Sequence, residues 1–294
     1  HGPLIISKNL KITGAGQGQT IIIPSNLAGA VSSNGPSFEI GPGCGAGNSI
    51  CELSGISIRS SVGGRKFLNA IKVKTSAELK MSGCEVSGTR ASGIYNNGGK
   101  VEIYDSYIHD INAQNSFGGA IQNRNRGVLI LNNSIIANNS GVGDGGGVYS
   151  DSGLVALSGS TIVGNLANNN GGGIYISDTS LRMRNTILAG NTGSNCYTIN
   201  SVIPLDGYNY LQNCQWGNST FNVNNILAST PPQLDSNFAP LNGSPVIDRG
   251  DPAGYTAYHY VRSNGQVVDL PMTGRAINSG RIDIGAVEYV PPPL

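Results

Sequence analysis

Short runs of aliphatic and β-branched residues recur along the chain, and turns rich in Gly, Asn and Ser separate them. From Gly145 onward, three such runs follow one another at residues 147–150, 154–157 and 160–163. Each run has the length of a short strand, about 4–6 residues, whereas helices need longer runs with a period of about 3.6 residues. The pattern predicts short β-strands joined by tight turns.

The runs also repeat at a nearly constant period. Related segments begin at Ser134, Ser160 and Thr186, and these positions advance in two equal steps (134→160→186). Upstream, the step 106→134 is slightly longer and the step 81→103 is slightly shorter. Repeats of about 20–50 residues are typical of a solenoid. Three strands with their turns fill one coil of a parallel β-helix, and coils stacked about 4.8 Å apart place equivalent residues in columns. We therefore predict an all-β parallel β-helix with three strands per coil.

The predicted columns define a core and a domain organisation. One inward column contains Ile71, Ile94, Ile121, Val148 and Ile174, and another contains Met81, Ile103, Leu131, Leu157 and Met183. We expect β-helix coils over 1–192, interrupted by an insertion at 25–50 that is rich in Gly, Ser and Asn. Irregular final coils and a C-terminal segment packed on the helix are expected over 193–290, and the Pro-rich start of a linker or anchor over 291–294.

An apolar stripe is predicted on the outside of the third strand of each coil. Its members are Ile135, Thr161 and Ile187, followed two positions later by Ala137, Val163 and Ala189. A continuous apolar stripe that faces water is unusual. Two interpretations are open: the C-terminal tail covers the stripe, or a partner protein binds to it.

Composition and charge narrow the range of partners. The 294 residues include 43 glycines, and only 12% of the side chains are charged. With 18 basic and 17 acidic side chains there is no net field to attract nucleic acid or an anionic membrane. No apolar run approaches the roughly 18 residues that a membrane span requires. The chain opens directly with an apolar strand, so we interpret it as a mature or trimmed product.

Five cysteines bear on the compartment in which the protein works. The pairs Cys44/Cys51 and Cys196/Cys214 each bracket a Gly- or Asn-rich loop, which favours two loop-closing disulfides. Cys84 occupies an interior strand position and is expected to be a buried free thiol. The alternative is five reduced core cysteines in a cytosolic protein. No CxxC spacing occurs and the three histidines are far apart, so we predict no metal site.

Alternation on the first strand of each coil places two columns of polar and aromatic side chains outside. Such a face suits an extended glycan, because sugar rings stack on aromatic faces and sugar hydroxyls or carboxylates bond to polar groups. Alternatively, outward Tyr, Lys and Arg simply suit exposed strands and discourage aggregation. The predicted ligand-binding residues are Lys72, Tyr95, Gln122, Tyr149 and Tyr175 in one column and Lys74, Asn97, Arg124 and Asp151 in the next, which Ser177 continues.

Two segments, 145–165 and 171–191, resemble the GGGIY…STISGN repeats of pectate-lyase-like bacterial surface proteins, including those of polymorphic outer-membrane proteins. The pieces 243–250, 274–275 and 281–288 are similar to the ending of the choice-of-anchor Q type. Together the resemblance covers most of the chain from residue 4 to residue 289. It implies a single-domain, right-handed parallel β-helix that is extracellular or displayed on a bacterial cell surface, and it implies no particular reaction.

An enzymatic alternative comes from polysaccharide lyases that share this fold. Lyases of this fold pair a basic residue with calcium or another cation, neutralise a uronate carboxylate and remove the C5 proton, and Lys74, Arg124 and Asp151 would be the residues involved. No acidic cluster on adjacent coils offers the several oxygens that Ca²⁺ requires, and a pair of carboxylates suited to glycoside hydrolysis is lacking. We expect no cofactor, and Ca²⁺ only under the lyase alternative. His109, beside Asp110, is expected to be a solitary surface histidine.

The sequence is therefore compatible with two functions. The first is a secreted or cell-surface β-helix protein for adhesion, glycan binding or extracellular assembly, including end-to-end stacking into filaments, because the ends of a β-helix are open sheet edges. The second is a polysaccharide lyase that acts on a uronate-containing polymer. The expected partners are a polysaccharide or cell-surface glycan and, at the ends, a second copy of the chain. The sequence leaves open whether the protein is an enzyme and favours a protein without catalytic activity.

Overall fold

Strands from successive coils pair in parallel and build three long sheets. The computed structural model describes residues 4–23, 36–45, 50–59, 69–114, 117–201, 207–214, 216, 224–252, 258–261, 267–270 and 282–287. Three sheets of eight, seven and nine strands run along the axis, and the described residues contain no helix. The fold is the predicted all-β, single-domain, right-handed parallel β-helix. Strands are numbered β1 to β29 along the chain.

The first sheet carries the candidate site. Its eight strands are parallel, and each pairs with the strand one coil further on. In order they are β1 (Leu4–Ile6), β4 (Phe38–Ile40), β7 (Ile71–Val73), β10 (Ile94–Asn97), β14 (Ile121–Arg124), β18 (Val148–Ser150), β22 (Ile174–Ser177) and β25 (Cys196–Ile199).

The second and third sheets close the solenoid. The second contains β2 (Lys11–Thr13), β5 (Cys51–Ser54), β8 (Glu78–Ser82), β11 (Lys100–Tyr104), β15 (Val128–Asn132), β19 (Gly153–Ser158) and β23 (Thr179–Arg184). The third contains β3 (Ile21–Ile22), β6 (Ser57–Arg59), β9 (Glu85–Ser87), β12 (Tyr107–His109), β16 (Ile135–Ala137), β20 (Thr161–Val163), β24 (Ile187–Ala189), β26 (Tyr210–Gln212) and β27 (Ile226–Ala228).

Two small sheets complete the described strands. After the third sheet, three coils add a short parallel strand each, namely β13 (Asn112–Ala113), β17 (Ser140–Gly141) and β21 (Leu166–Ala167). An antiparallel pair, β28 (Tyr258–Val261) and β29 (Val267–Leu270), lies in the C-terminal part of the chain.

The core consists of the predicted aliphatic columns. Ile71, Ile94 and Ile121 are direct Cα partners in adjacent strands, as are Ile121, Val148 and Ile174 further on, and all five are fully buried. The column from Met81 to Met183 has the same direct register. Parallel pairing lets like side chains stack at each rung, so the register found in one coil carries over to the next.

A ladder of asparagines, two of them fully buried, lines the turn after the third sheet. Asn165 donates from Nδ2 to Asn191 Oδ1 at 3.0 Å, and its own Oδ1 accepts from Asn139 Nδ2 at 2.9 Å. The backbone N–H of Asn139 donates to the same oxygen at 3.0 Å. The ladder therefore satisfies backbone donors that would otherwise be buried without a partner where the strand bends.

The insertion predicted at 25–50 is wrong in part. Residues Phe38–Ile40 form β4, which pairs with β1 and β7 and is a regular rung of the first sheet. Phe38 and Ile40 are buried in the core, and Glu39 between them is partly exposed. The sequence analysis overlooked this strand because its alternation of buried and exposed residues is only three residues long and lies between Gly- and Ser-rich segments. Residues 24–35 lie outside the described part of the chain.

The apolar stripe on the third sheet is covered by the C-terminal segment, as the first of the two interpretations expects. The apolar cluster at this place contains Ile187, Ala189, Tyr210, Val246 and Ile284. Hydrogen bonds hold the cover in position: Ala286 N–H donates to Thr161 Oγ1 at 2.9 Å, and Asp251 N–H donates to Asn185 Oδ1 at 2.8 Å. Thr161 is fully buried as a result.

The predicted disulfides are confirmed. Cys44 is bonded to Cys51, and Cys196 is bonded to Cys214. Cys84 is a free, buried thiol whose pKa is raised by burial. The predicted linker at 291–294 and the motif piece at 274–275 lie outside the described residues, and the division of the chain at 192 stays a prediction.

Candidate functional site

The first outward column of the first sheet has the predicted register. Tyr95 is the Cα partner of Lys72 on one side and of Gln122 on the other, and Gln122 in turn pairs with Tyr149. Tyr149 pairs with Tyr175. The column also extends at both ends to residues that the sequence analysis missed, Glu39 and Tyr197. The step from Tyr175 to Tyr197 is shorter than the step from Tyr149 to Tyr175, and this irregularity concealed Tyr197.

The tyrosines of the column stack on one another. The rings of Tyr149 and Tyr175 are 5.3 Å apart and inclined by 4°, and those of Tyr175 and Tyr197 are 5.7 Å apart and inclined by 11°. The ring of Phe117 lies 5.1 Å from that of Tyr149. Ring faces within this aromatic stack (Phe117, Tyr149, Tyr175, Tyr197) are therefore turned to neighbouring rings, and the faces in its interior are not available for a sugar ring to stack on.

The centre of the column is covered. Gln122 is only 6% exposed and Tyr149 only 8% exposed, and the Gln122 side chain donates a hydrogen bond to the Phe117 carbonyl. Phe117 itself is 40% exposed. The predicted column is thus divided: Lys72 and Tyr95 are partly exposed on one side of the Phe117 segment, and the tyrosine stack lies on the other side. Phe117 stands outside the repeat pattern, so register alone could not reveal it.

The second outward column consists of paired charges. Arg124 donates from Nε to Asp151 Oδ2 at 2.6 Å, and its guanidinium lies 5.3 Å from the Tyr149 ring centroid and 5.9 Å from that of Phe117. Lys74 Nζ is 2.5 Å from Glu39 Oε1. Asn97, the Cα partner of Arg124, accepts a hydrogen bond from Asn125. Ser177 bonds to Asp178, the residue that follows it.

These contacts fix the protonation states at the centre of the site. Burial lowers the pKa of Arg124, but the hydrogen bond to Asp151 and its charge outweigh burial, and the net shift is upward. Burial raises the pKa of Tyr149, and the charge of Asp151 adds to the effect. Burial and the charge of Asp144 raise the pKa of Tyr175. Arg124 therefore stays charged at neutral pH, and both phenols stay protonated.

A lyase would need one of these cations to take up a proton from the substrate. An arginine with a raised pKa is a poor base, because a general base works best when its pKa lies near the working pH. Lys74 and Arg124 are also neutralised by Glu39 and Asp151, so a uronate carboxylate would have to displace an existing partner. The arrangement favours binding over proton abstraction.

His109 is not the solitary surface histidine that was expected. Its Nδ1 is 2.7 Å from Asp110 Oδ2 and its Nε2 is 3.1 Å from Glu85 Oε1, so both ring nitrogens face carboxylates. Burial raises the pKa of Glu85, but hydrogen bonds from Arg59, Ser57 and His109 outweigh burial and lower it overall. Ser87 is the Cα partner of His109, and Glu85 lies two positions before Ser87 on the same strand. Glu85 is therefore a diagonal neighbour of His109, and this spacing could have indicated the contact from the sequence.

Among the described residues, no group of three or more His, Cys, Asp or Glu side chains is arranged to hold a metal ion. Within the same part of the chain, no helix is long and apolar enough to cross a membrane.

The parallel coils, the stacked outward columns and the buried polar ladders define a β-solenoid protein. A family model described as right handed beta helix region matches residues 44–226, well over half of the chain, and the protein belongs to this family. No curated protein and no solved structure matches the chain.

Proposed function

We propose that this is an extracellular β-helix protein that binds a glycan on the outer face of its first sheet. The observation that carries the proposal is the aromatic stack, in which Phe117 is 40% exposed and Tyr175 and Tyr197 are partly exposed beside the Arg124–Asp151 ion pair. Exposed aromatic rings flanked by planar polar groups suit sugars, whose apolar ring faces and hydroxyls need both kinds of contact.

The charge balance of this face favours a neutral glycan. Two of its three candidate cations, Lys74 and Arg124, are each paired with a carboxylate on a neighbouring rung, and the third, Lys72, is the Cα partner of Glu39. A polymer with many carboxylates gains little from cations that are already paired, and it meets the repulsion of Glu39 and Asp151 as well. Sugar hydroxyls can donate to those carboxylates and accept from the guanidinium without displacing either partner.

Two observations support an extracellular location. Disulfides persist in oxidising compartments and are rare in cytosolic proteins, and this chain has two. The pieces 243–250 and 281–288 resemble the ending of choice-of-anchor Q surface proteins, which are attached to the bacterial cell surface. Fractionation of the native organism tests the location: the proposal expects the protein at the surface or in the medium, and a cytosolic pool with reduced cysteines contradicts it.

Binding is tested with a glycan array followed by calorimetry on the best oligosaccharide. The Tyr175→Ala variant should weaken binding by about tenfold or more, because it opens the aromatic stack. The control is Leu241→Ala, which removes an exposed apolar side chain (47% exposed) from the C-terminal segment, away from the first sheet, and should leave this affinity unchanged. Absence of binding to any glycan, or equal effects of the two substitutions, would contradict the proposal.

The lyase alternative is tested in the same samples. Removal of the C5 proton with departure of the sugar linked at C4 leaves a C4=C5 double bond, whose ultraviolet absorbance can be followed with alginate, pectate and glycosaminoglycans, with and without Ca²⁺. The binding proposal expects no absorbance change. A product that is lost in Arg124→Ala or Lys74→Ala would establish the lyase instead.

Assembly is a second candidate function, because apolar side chains are exposed at both ends of the described coils. Ile5 on β1 is 60% exposed, and Ile21 on β3 is 43% exposed. At the other end, Ile199 on β25 is 38% exposed, and Leu227 on β27 is 62% exposed. The first and third sheets thus carry an exposed aliphatic residue at each edge strand, which suits end-to-end contact between two copies.

Light scattering and electron microscopy over a range of concentrations test this second candidate. Filaments that grow longer as the protein concentration rises, and that do not form in Leu227→Lys or Ile5→Lys, would support it. Dispersed monomers at high concentration would contradict it.

A further inference from the structure

A second concave surface lies on the third sheet, away from the proposed glycan face on the first. It is a groove of about 400 Å³ between the third sheet and the C-terminal segment, within the range of about 300–1,000 Å³ that is common for small-ligand sites. The residues that line it are Gln17 from the first coil, Asp105 before β12, Tyr107 on β12 of the third sheet, and Asn237, Phe238 and Ala286 from the C-terminal segment.

Two aromatic rings form one corner of this groove. The rings of Tyr107 and Phe238 are 5.9 Å apart and inclined by 63°, and each is partly buried. Tyr107 is also stacked on His109, with ring centroids 3.8 Å apart and planes inclined by 13°. Because Glu85 and Asp110 hold His109 from both sides, the Tyr107 ring is positioned before any ligand arrives.

The backbone holds Phe238 in an unfavourable conformation. Its φ of 65° lies in the left-handed region, which a bulky aromatic residue rarely adopts. Asp235 fixes the loop: its Oδ1 accepts from Asn237 N–H at 2.8 Å and from Ala239 N–H at 2.9 Å, and its carbonyl accepts from Phe238 N–H at 3.1 Å. Strained residues of this kind cluster at ligand-binding sites, where the surrounding structure keeps them in place.

The polar groups around the corner indicate the chemistry of the ligand. Asp105, Tyr107 and Asn237 line the groove, and their side chains have no hydrogen-bond or ion-pair partner within the part of the chain that the structure describes. Burial, together with the charges of Asp110 and Glu85, raises the pKa of Tyr107, so its hydroxyl remains a donor at neutral pH. Donors and acceptors beside aromatic carbon match sugar hydroxyls and sugar C–H faces, and the charge of Asp105 disfavours acidic sugars.

We propose that this groove binds a neutral mono- or disaccharide, independently of the first-sheet face. The volume limits the ligand to a small sugar or to the end of a longer chain. Sequence analysis could not identify the site, because residues that are adjacent here, such as Asp105 and Phe238, lie far apart along the chain. The site therefore depends on the packing of the C-terminal segment.

Ligand-observed NMR on the full-length protein tests the proposal. The probes are glucose, galactose, mannose, N-acetylglucosamine and the disaccharides cellobiose, lactose and chitobiose. The test uses the Tyr175→Ala protein, in which the proposed first-sheet site is weakened. At least one probe should bind saturably to this protein, and adding Tyr107→Ala should weaken that binding by about tenfold or more. Glucuronic acid should bind more weakly than glucose, because of Asp105.

A second variant separates a binding role from a structural one. Phe238→Gly removes the ring but suits the left-handed backbone, so it should weaken sugar binding at the groove by about tenfold or more while leaving the melting temperature unchanged or raised. Saturable binding to the Tyr175→Ala protein that both Tyr107→Ala and Phe238→Gly weaken by about tenfold or more supports the proposal. Three results would each overturn it: no saturable binding to any probe, binding that both variants retain, or binding that Tyr175→Ala abolishes.

Discussion

The asparagine ladder makes a quantitative prediction about stability. Asn165 is fully buried and connects three coils. Its Nδ2 donates to the Ile136 carbonyl at 3.0 Å, to the Val163 carbonyl at 3.1 Å and to Asn191 Oδ1 at 3.0 Å. The perturbation is Asn165→Ala, which removes the side-chain amide and leaves the Cβ and the backbone in place.

The expected loss follows from the groups that are left without a partner. Asn165 Oδ1 accepts from the backbone N–H of Asn139 at 3.0 Å and from Asn139 Nδ2 at 2.9 Å, and both donors are buried. A buried donor without an acceptor costs about 1–3 kcal/mol, so the two together should lower the free energy of unfolding by about 2–6 kcal/mol. That is a large part of a total of roughly 5–15 kcal/mol.

Urea denaturation followed by circular dichroism measures this difference, with Asn168→Ala as the matched control. Asn168 is exposed, and its backbone N–H, which the substitution leaves in place, donates to the Gly141 carbonyl. The control should change the free energy of unfolding by less than about 0.5 kcal/mol. If Asn165→Ala cost no more than the control, the view that the ladder satisfies buried donors would be refuted.

Three further predictions concern charge and sulfur. The pKa of Glu85 is lowered from its ordinary value of 4.5, so the ionised carboxylate stabilises the fold above that pH, and this stabilisation is lost as the pH falls below it. In thermal melts at decreasing pH, the melting temperature of Glu85→Gln should therefore fall less than that of the wild type. Removing Cys196–Cys214, with a sequence separation of 18, should cost about 3 kcal/mol, against about 2.4 kcal/mol for Cys44–Cys51, with a separation of 7, as measured by thermal unfolding of Cys→Ser pairs. Cys84 should react with a thiol reagent only after denaturation, and rapid labelling of the native protein would show that it is accessible.

The repeat made the coils predictable. Once Ile121, Val148 and Ile174 are aligned, parallel pairing dictates the register of the strands around them, and the outward columns follow without further information. The same logic would have located Glu85 near His109, had the diagonal neighbours of each column been considered.

Features outside the repeat could not be predicted in this way. Phe117 belongs to a segment that lies between two coils, and it covers Gln122 and contacts Tyr149, so it divides a column that register alone presents as continuous. The direction of the tyrosine rings depends on side-chain packing along the axis, and strand alternation says only that they point outward. The groove around Phe238 depends on where a non-repetitive segment packs.

A crystal structure of the protein with its best-binding oligosaccharide would show whether the first sheet is the glycan-binding face. We expect sugar rings on the first sheet against Phe117 and the exposed edges of Tyr175 and Tyr197, with hydroxyls bonded to the Arg124–Asp151 pair. Sugar bound elsewhere with the first sheet unoccupied would contradict this expectation.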